Sequence, residues 1–216
     1  MTGFTHSPRL LKGGIVLIDP ATARVQRIIS LQYNPDSLSR TLQVQGSSEG
    51  GERSEVLRLK GPAVETLKLE AEIDATDQME TGEAVVGDLG IHPQLAALET
   101  LVHPTSAQLE GNNALASQGI MEIIPMQSPL ALFVLGKRRV MPVRITEFSI
   151  TEEAFDPNLN PLRAKVSLGM RVLTVDDAGF KHKAGNLFMS YLQQKESFAV
   201  QSAAGTLGAL GLTAIP

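Results

Sequence analysis

The sequence predicts a mainly β fold: an antiparallel β-sandwich or barrel with one internal α-helix and a C-terminal helix plus tail. Three observations carry this. Period-two alternation of apolar and polar residues recurs, most clearly over 66–75 and 162–174. Turn signals such as Asp19-Pro20, Asn34-Pro35 and Gly61-Pro62 punctuate the chain. A helical period appears in two places, 93–102 and 187–198.

The elements follow in order. Ile15-Val16-Leu17-Ile18 is a short continuous apolar run, as a buried strand requires. Asp19-Pro20-Ala21-Thr22 turns the chain, with Asp able to bond the backbone ahead of it, and Val25 to Tyr33 returns as the second strand of a hairpin. Asn34-Pro35-Asp36-Ser37 is a second turn, because Asn before Pro is pushed out of the helical region. Leu38, Leu42 and Val44 mark a strand, and 46–55 (GSSEGGERSE) is a polar loop. Val56, Leu57 and Leu59 resume an extended stretch. Then Leu67, Leu69, Ala71, Ile73 and Ala75 face one way and Thr66, Lys68, Glu70, Glu72 and Asp74 the other, giving a strand with one wet face.

Residues 76–90 are acidic and glycine-bearing, hence loop. Leu95, Leu98, Leu101 and Val102 share a helical face, with Pro93 in the first turn and His103-Pro104 as the stop. Residues 105–119 are small and polar and read as loop, followed by strands at Ile120–Ile124 and Leu130–Leu135. Gly136-Lys137-Arg138 turns the chain into Val140–Val143 and Arg144–Thr151, with Ile145 set on the face opposite Phe148 and Ile150. After the loop 155–161, the run 162–174 points Leu162, Ala164, Val166, Leu168, Met170 and Val172 inward. Its length suggests a strand that extends past its own sheet to a free edge. Leu187, Phe188, Tyr191, Leu192, Lys195 and Phe198 form an amphipathic stretch that reads as a helix, and 202–216 is a small, apolar tail.

Composition narrows the function classes. The chain has 216 residues, 43% apolar and 19% charged, with a formal net charge of −4, as a globular protein has. Mild acidity argues against a nucleic-acid binder. The absence of cysteine excludes disulfides, zinc-thiolate sites and thiol nucleophiles and fits a cytoplasmic setting. The first apolar run is too short for a signal core or a membrane span. Seven Phe, two Tyr and no Trp leave few rings for a sugar cleft or a single-strand nucleic-acid platform.

Catalytic and metal motifs are not evident. His92 and His103 stand at opposite ends of a helix, and His6 and His182 near turns, so they read as solvent-facing or terminal residues. Asp74, Asp77, Glu80, Glu83 and Asp88 lack the order of a calcium loop. Gly205, Gly208 and Gly211 follow a helix rather than a strand, so they are no dinucleotide fingerprint. No enzyme activity, cofactor or metal is expected. Lys137-Arg138-Arg139, the basic triplet, sits at a predicted hairpin tip, either as a solubilising turn or as a contact for an acidic neighbour.

Two blocks then act together: LQYNPDSLSRTLQV at 31–44, and FVLG at 133–136 followed by ITEFSITEEAFDPNLNPLRAKVSL at 145–168 and MRVL at 170–173. In this order they resemble the tube protein family of contractile injection systems, phage-tail-like particles in which a sheath drives a rigid inner tube. The family's positions fall on Tyr33, Asn34, Pro35, Asp36, Ser37, Leu38, Gly136, Phe148, Phe155, Pro157 and Pro161. The resemblance implies a tail-tube-like β-barrel domain at 1–175 with a docking extension at 176–216. It implies a ring, usually a homo-hexamer, in the inner tube at or near the baseplate hub. Its partners would be itself, inner tube subunits, a spike or hub protein, and baseplate or sheath-adaptor proteins, with no nucleic acid and no membrane insertion. Some family members carry a LysM module; here a helix and tail stand instead, which favours a tube initiator or hub ring.

The tail is too apolar to rest in water, so Leu207, Leu210 and Leu212, with the basic triplet, are the expected inter-subunit contacts. Loop 46–55 is expected to order between stacked rings. The alternatives are a tube terminator of the same particle, a monomeric ligand-binding β-barrel and a hydrolase. A monomer with a pocket marks the second, and loss of turnover on replacing one His or acidic residue marks the third.

Overall fold

The computed structural model describes residues 11–46, 58–76, 88–117, 128–202 and 205–215. Among the described residues there are seven strands: β1 Gly14–Ile18, β2 Val25–Ser30, β3 Leu38–Gln43, β4 Val64–Asp74, β5 Leu130–Val134, β6 Val140–Phe155 and β7 Pro161–Val172. The helices are α1 His92–Glu99, α2 Ser106–Ser117, α3 Val175–Ala178 and α4 Lys183–Gln201, and a 3₁₀ turn spans Leu207–Leu210. The expected loop 46–55 past Gly46, the extended residues Val56 and Leu57, and the strand at Ile120–Ile124 lie outside the described residues, as do His6, Asp77, Glu80 and Glu83.

The strands form one antiparallel sheet in the order β2-β1-β5-β6-β7-β4-β3. The fold is mainly β, as expected, but the sheet is open rather than a closed barrel or a two-sheet sandwich. Its two edges, β2 and β3, are consecutive in the chain, joined by residues 31–37. That link reaches at most roughly 28 Å at ~3.5 Å per residue. A flat sheet of seven strands at ~4.8 Å spacing is about as wide. The sheet nevertheless curls, as Gln32, two residues beyond β2, shows by reaching the end of β4: its Nε2 donates to the Asp74 carbonyl at 2.7 Å and its Oε1 accepts from the Asp74 N–H at 3.0 Å. Through the ladders Ser30 is level with Gly14 and Val134, at the β5–β6 turn, whereas Asp74 ends β4. Such an offset is the stagger that tilted strands acquire in a rolled sheet.

The long run at 162–174 does not supply an edge. β7 is paired on both sides, with β6 and with β4. Strand length reported burial correctly, since Ala164, Val166, Leu168, Met170 and Val172 are all buried, but it carries no information on strand order. Among the described residues the sheet's edges are the two short strands β2 and β3.

Side chains of β1, β4, β5, β6 and β7 on the inner face form the main core with Leu95 and Leu98 of α1 and Phe188 and Tyr191 of α4. Each fully buried aliphatic or aromatic side chain contributes about 1.5–3 kcal/mol. On the opposite face Ile18, Leu130 and Leu132 pack against Ala184 of α4. β1 and β5 are thus covered on both faces, which is why 15–18 reads as an unbroken apolar run.

β6 departs from simple alternation. Its pairing with β7 jumps from Ile145↔Met170 to Glu147↔Gly169, leaving Thr146 as a bulge. The extra residue moves Phe148 and Ile150 onto the face of Ile145, all three packing on the core; the expected split between these faces is corrected by that one residue. Gly169 opposes the bulge because a Cβ there would stand 2.8 Å from the Glu147 Cβ.

Segment 105–119 is not all loop. Residues Ser106–Ser117 form α2, so two helices rather than one interrupt the strands. α2 buries no residue, which removed the apolar period as a signal. Its start is instead fixed by a reciprocal cap: Thr105 Oγ1 accepts from the Gln108 N–H, and Gln108 Oε1 accepts from the Thr105 N–H at 3.0 Å. The second strand is also shorter than the expected 25–33, ending at Ser30, where the chain leaves to make the Gln32 bridge.

Candidate functional site

The family-motif residues fall in three places. Tyr33, Asn34, Pro35, Asp36 and Ser37 occupy the link between the sheet edges and, with Glu70, Glu72 and Lys165, line a shallow cleft of about 410 Å³. Leu38 then opens β3 and packs partly on the core. Asn34 is the clamp of this link. Its Oδ1 accepts from the Gly13 N–H at 2.8 Å and its Nδ2 donates to the Leu11 carbonyl at 2.9 Å, tying the approach to β1 to the turn.

The second place is the β6–β7 hairpin. Phe148 packs on the core, while Phe155 is exposed opposite Pro161 at the hairpin's end. Pro157 lies in the turn 156–160. Asp156 organises that turn, its Oδ1 accepting from the N–H groups of Asn158 and Asn160 at 2.8 Å each. Hydrogen bonds from the Asn160 side chain and backbone hold the Asp156 carboxyl below its ordinary value.

Gly136 is the third, with φ +83 in the β5–β6 turn, a conformation that a side chain disfavours. Lys137 is exposed beside it. Arg138 stands over the Phe198 ring of α4, 5.7 Å from its centroid, and Arg139 closes the turn by accepting the Leu135 N–H at its carbonyl, 2.9 Å away. Two members of the basic triplet therefore hold their own hairpin and helix together.

A polar constellation that the sequence reading missed sits on the inner face. Glu65 is only 2% exposed. Its Oε1 receives Arg40 Nε at 2.8 Å and the Tyr191 hydroxyl at 3.0 Å, and its Oε2 receives Lys195 Nζ at 2.7 Å. Arg40 Nη2 also donates to the Tyr191 oxygen at 3.1 Å. Burial acts to raise the Glu65 carboxyl, but hydrogen bonds and charge from Lys195 and Arg40 outweigh it, and the group is held below its ordinary value. Burial and the neighbouring carboxylate push the Tyr191 phenol up to about 12. The carboxylate is ionised and saturated with donors, so the cluster anchors α4 to β3 and β4 and offers no proton-transfer group. Parity was the available signal: Glu65 falls on the same strand face as Leu67 and Leu69.

Among the described residues no group of three or more His, Asp or Glu is placed to hold a metal, and no helix is long and apolar enough to cross a membrane. His182, read as a terminal residue, caps α4: its Nδ1 accepts from the Ala184 N–H at 3.2 Å.

The remaining feature is exposed apolar surface at the sheet edges and beyond α4. Val25 and Ile28 on β2, and Leu42 and Val44 at the end of β3, are more than half exposed. Past α4, Leu207, Leu210, Leu212 and Ile215 are all exposed, and Gly211 in the left-handed region closes the 3₁₀ turn that carries the first two.

No family model matches the chain, and no curated protein matches it. Among solved structures it is similar to a chain from the tail of an empty GTA particle, computed with helical refinement in C6 symmetry. The similarity has a TM-score of 0.29 at 12% identity, over 74% of this chain and 90% of the other, below the level that marks a shared fold.

Proposed function

We propose that this protein is a structural subunit of a contractile injection particle, forming a ring of the inner tube at or near the baseplate hub. Two edges on one rolled sheet, β2 and β3, that no other described strand pairs are the observation that carries the reading. Exposed edges are a liability for a monomer and an interface for an oligomer, because pairing satisfies their backbone groups. Exposed apolar residues on both edge strands add to it. The ordered blocks at 31–44 and 133–173, which resemble tube proteins, name the kind of assembly. On this reading the chain works by self-association and by contact with tube, hub and baseplate proteins rather than by turnover. It needs no cofactor. The outward side chains of β4, β6 and β7 suit a wet wall, since they are ion-paired across strands, Lys68 with Glu147 and Lys165 with Glu153.

The test is to tag the chain in its native host, purify it gently and image the product by negative-stain electron microscopy. Syringe-shaped particles labelled at one end support a ring at the hub or terminus. Label along the whole tube makes it the main tube subunit. A clean monomer, with no particle and no co-purifying tube or hub protein, overturns the assignment.

A further inference from the structure

We infer that the basic turn between β5 and β6 of one copy docks, through Lys137, into the acidic cleft beside the 31–37 link of a second copy. The cleft is the one of about 410 Å³ between that link and β4. Asp36, Glu70 and Glu72 line it, against the single cation Lys165. Lys165 is already paired with Glu153 at 3.4 Å. Among the described residues no ion pair involves Asp36, Glu70 or Glu72. Glu72 also borders the neighbouring cleft, which holds Lys12 and Arg27, but the Arg27 guanidinium is bound to the Thr100 hydroxyl at 2.5 Å. Three exposed carboxylates around one recess repel one another and favour a cation between them. The recess equals roughly a dozen water volumes of ~30 Å³ each, so it admits a lysine side chain and not a folded segment.

A fitting cation stands on the same chain. Of the triplet at the β5–β6 turn, Arg138 lies over Phe198 and Arg139 closes the turn through its backbone. Lys137 is exposed at the tip, and no ion pair among the described residues involves it. It stands far from the cleft of its own chain. The turn joins Val134 to Val140, whereas Glu72 is level with Lys165, and Lys165 with Thr151. From Val140 to Thr151 β6 runs about eleven residues at ~3.3 Å, roughly 35 Å, several times the reach of a lysine side chain. Basic turn and acidic cleft are therefore at opposite ends of the long strands and meet only between copies. Because the two patches differ, each docking leaves one of each unfilled, and the contact closes a ring or propagates as a stack. The inference rests on the assembly reading in taking a second copy as the partner, and adds a salt-sensitive contact to the apolar sheet edges.

Charge reversal tests it in purified full-length protein, with self-association read by sedimentation velocity and folding by circular dichroism. Lys137→Glu is expected to weaken self-association several-fold. So is the pair Asp36→Lys, Glu70→Lys, which leaves Glu72 in place because it faces Lys165 across the ladder. An equimolar mixture of the two variants is expected to recover most of the association, since the reversed turn then meets the reversed cleft. Arg24→Glu, at an exposed cation in the β1–β2 turn, should leave it unchanged. Self-association of unaltered protein should fall several-fold between about 0.01 and about 1 M salt, as the screening length shortens from ~30 to ~3 Å. No recovery in the mixture, equal weakening by Arg24→Glu, or salt-insensitive association overturns the inference. So does an unaltered chain that is monomeric throughout. Particles in the native host whose subunits fail these tests refute the contact and leave the proposed function standing. Recovery in the mixture without any particle in the host leaves the contact standing and refutes that function.

Discussion

The two halves of α4 obey different rules. In the first half, Ala184, Gly185, Phe188 and Tyr191 are buried, and Tyr191 and Lys195 are bound to Glu65. From Glu196 onward the described residues are exposed, Arg138 over Phe198 being the one ring contact. Isolated helices of a few turns are marginal in water. The second half is helical because the first half is fixed and propagation from it is cheap. One half of the helix thus builds the subunit, and the other presents a surface, uncharged from Ser197 onward, that leaves its described residues exposed.

This contrast can be broken from either side. The largest effect is expected from Arg40→Met with Lys195→Met, which strands the buried Glu65 carboxylate: about 3 kcal/mol lost in urea unfolding. Adding Glu65→Met should recover most of it, since a well-packed apolar trio replaces a charge cluster with little net loss. Gly185→Ala comes next, at about 1–3 kcal/mol, because a Cβ there would lie 2.1 Å from the Gly179 carbonyl oxygen; thermal unfolding reads it. Asn34→Ala removes two backbone clamps and should cost about 1–2 kcal/mol, with faster hydrogen exchange at the Gly13 amide. Leu210→Ser, in the tail, should change subunit stability by less than about 0.5 kcal/mol while weakening self-association in sedimentation.

The same network sets a pH dependence. Glu65 is held below its ordinary value of 4.5, so as the pH falls the unfolded chain takes up the proton first. Its contribution is present above that value and is lost as the pH falls through the lower folded-state value. In the Arg40→Met, Lys195→Met variant both cations are gone and only the Tyr191 hydroxyl still donates to the carboxylate, so burial is expected to push the carboxyl up and reverse the dependence, with stability falling as the pH rises and Glu65 ionises. Unfolding curves across the acid range check both directions.

β4 and β7 were legible residue by residue, because a strand with one wet face writes its burial into alternation. Leu67 through Ala75 and Ala164 through Val172 are buried at the positions the pattern gave. The Asp19 turn was legible too: its Oδ1 accepts from the Ala21 and Thr22 N–H groups at 2.9 and 2.7 Å. Strand order was not, since pairing of Gly14 with Val134 leaves no local trace. Neither was the bulge at Thr146, which has no composition of its own, nor α2, whose sign is the cap Thr105–Gln108 rather than an apolar stripe. The Glu65 cluster escaped because the alternation was read from residue 66, one position short of the charge on the apolar face.

The order of strands also dictates an order of events at synthesis. The β1–β2 hairpin emerges first but is seated only through β5, and β3–β4 only through β7. Both early hairpins must wait for residues made much later, which makes folding slow and non-local. A nascent chain consequently cannot present a completed edge pair, and association is deferred until the molecule is nearly whole. A chain ending at Asn160, before β7, should bind a hydrophobic dye and lack a cooperative unfolding transition; a cooperative, dye-silent fragment would show that the hairpins are self-sufficient and the delay is not built in.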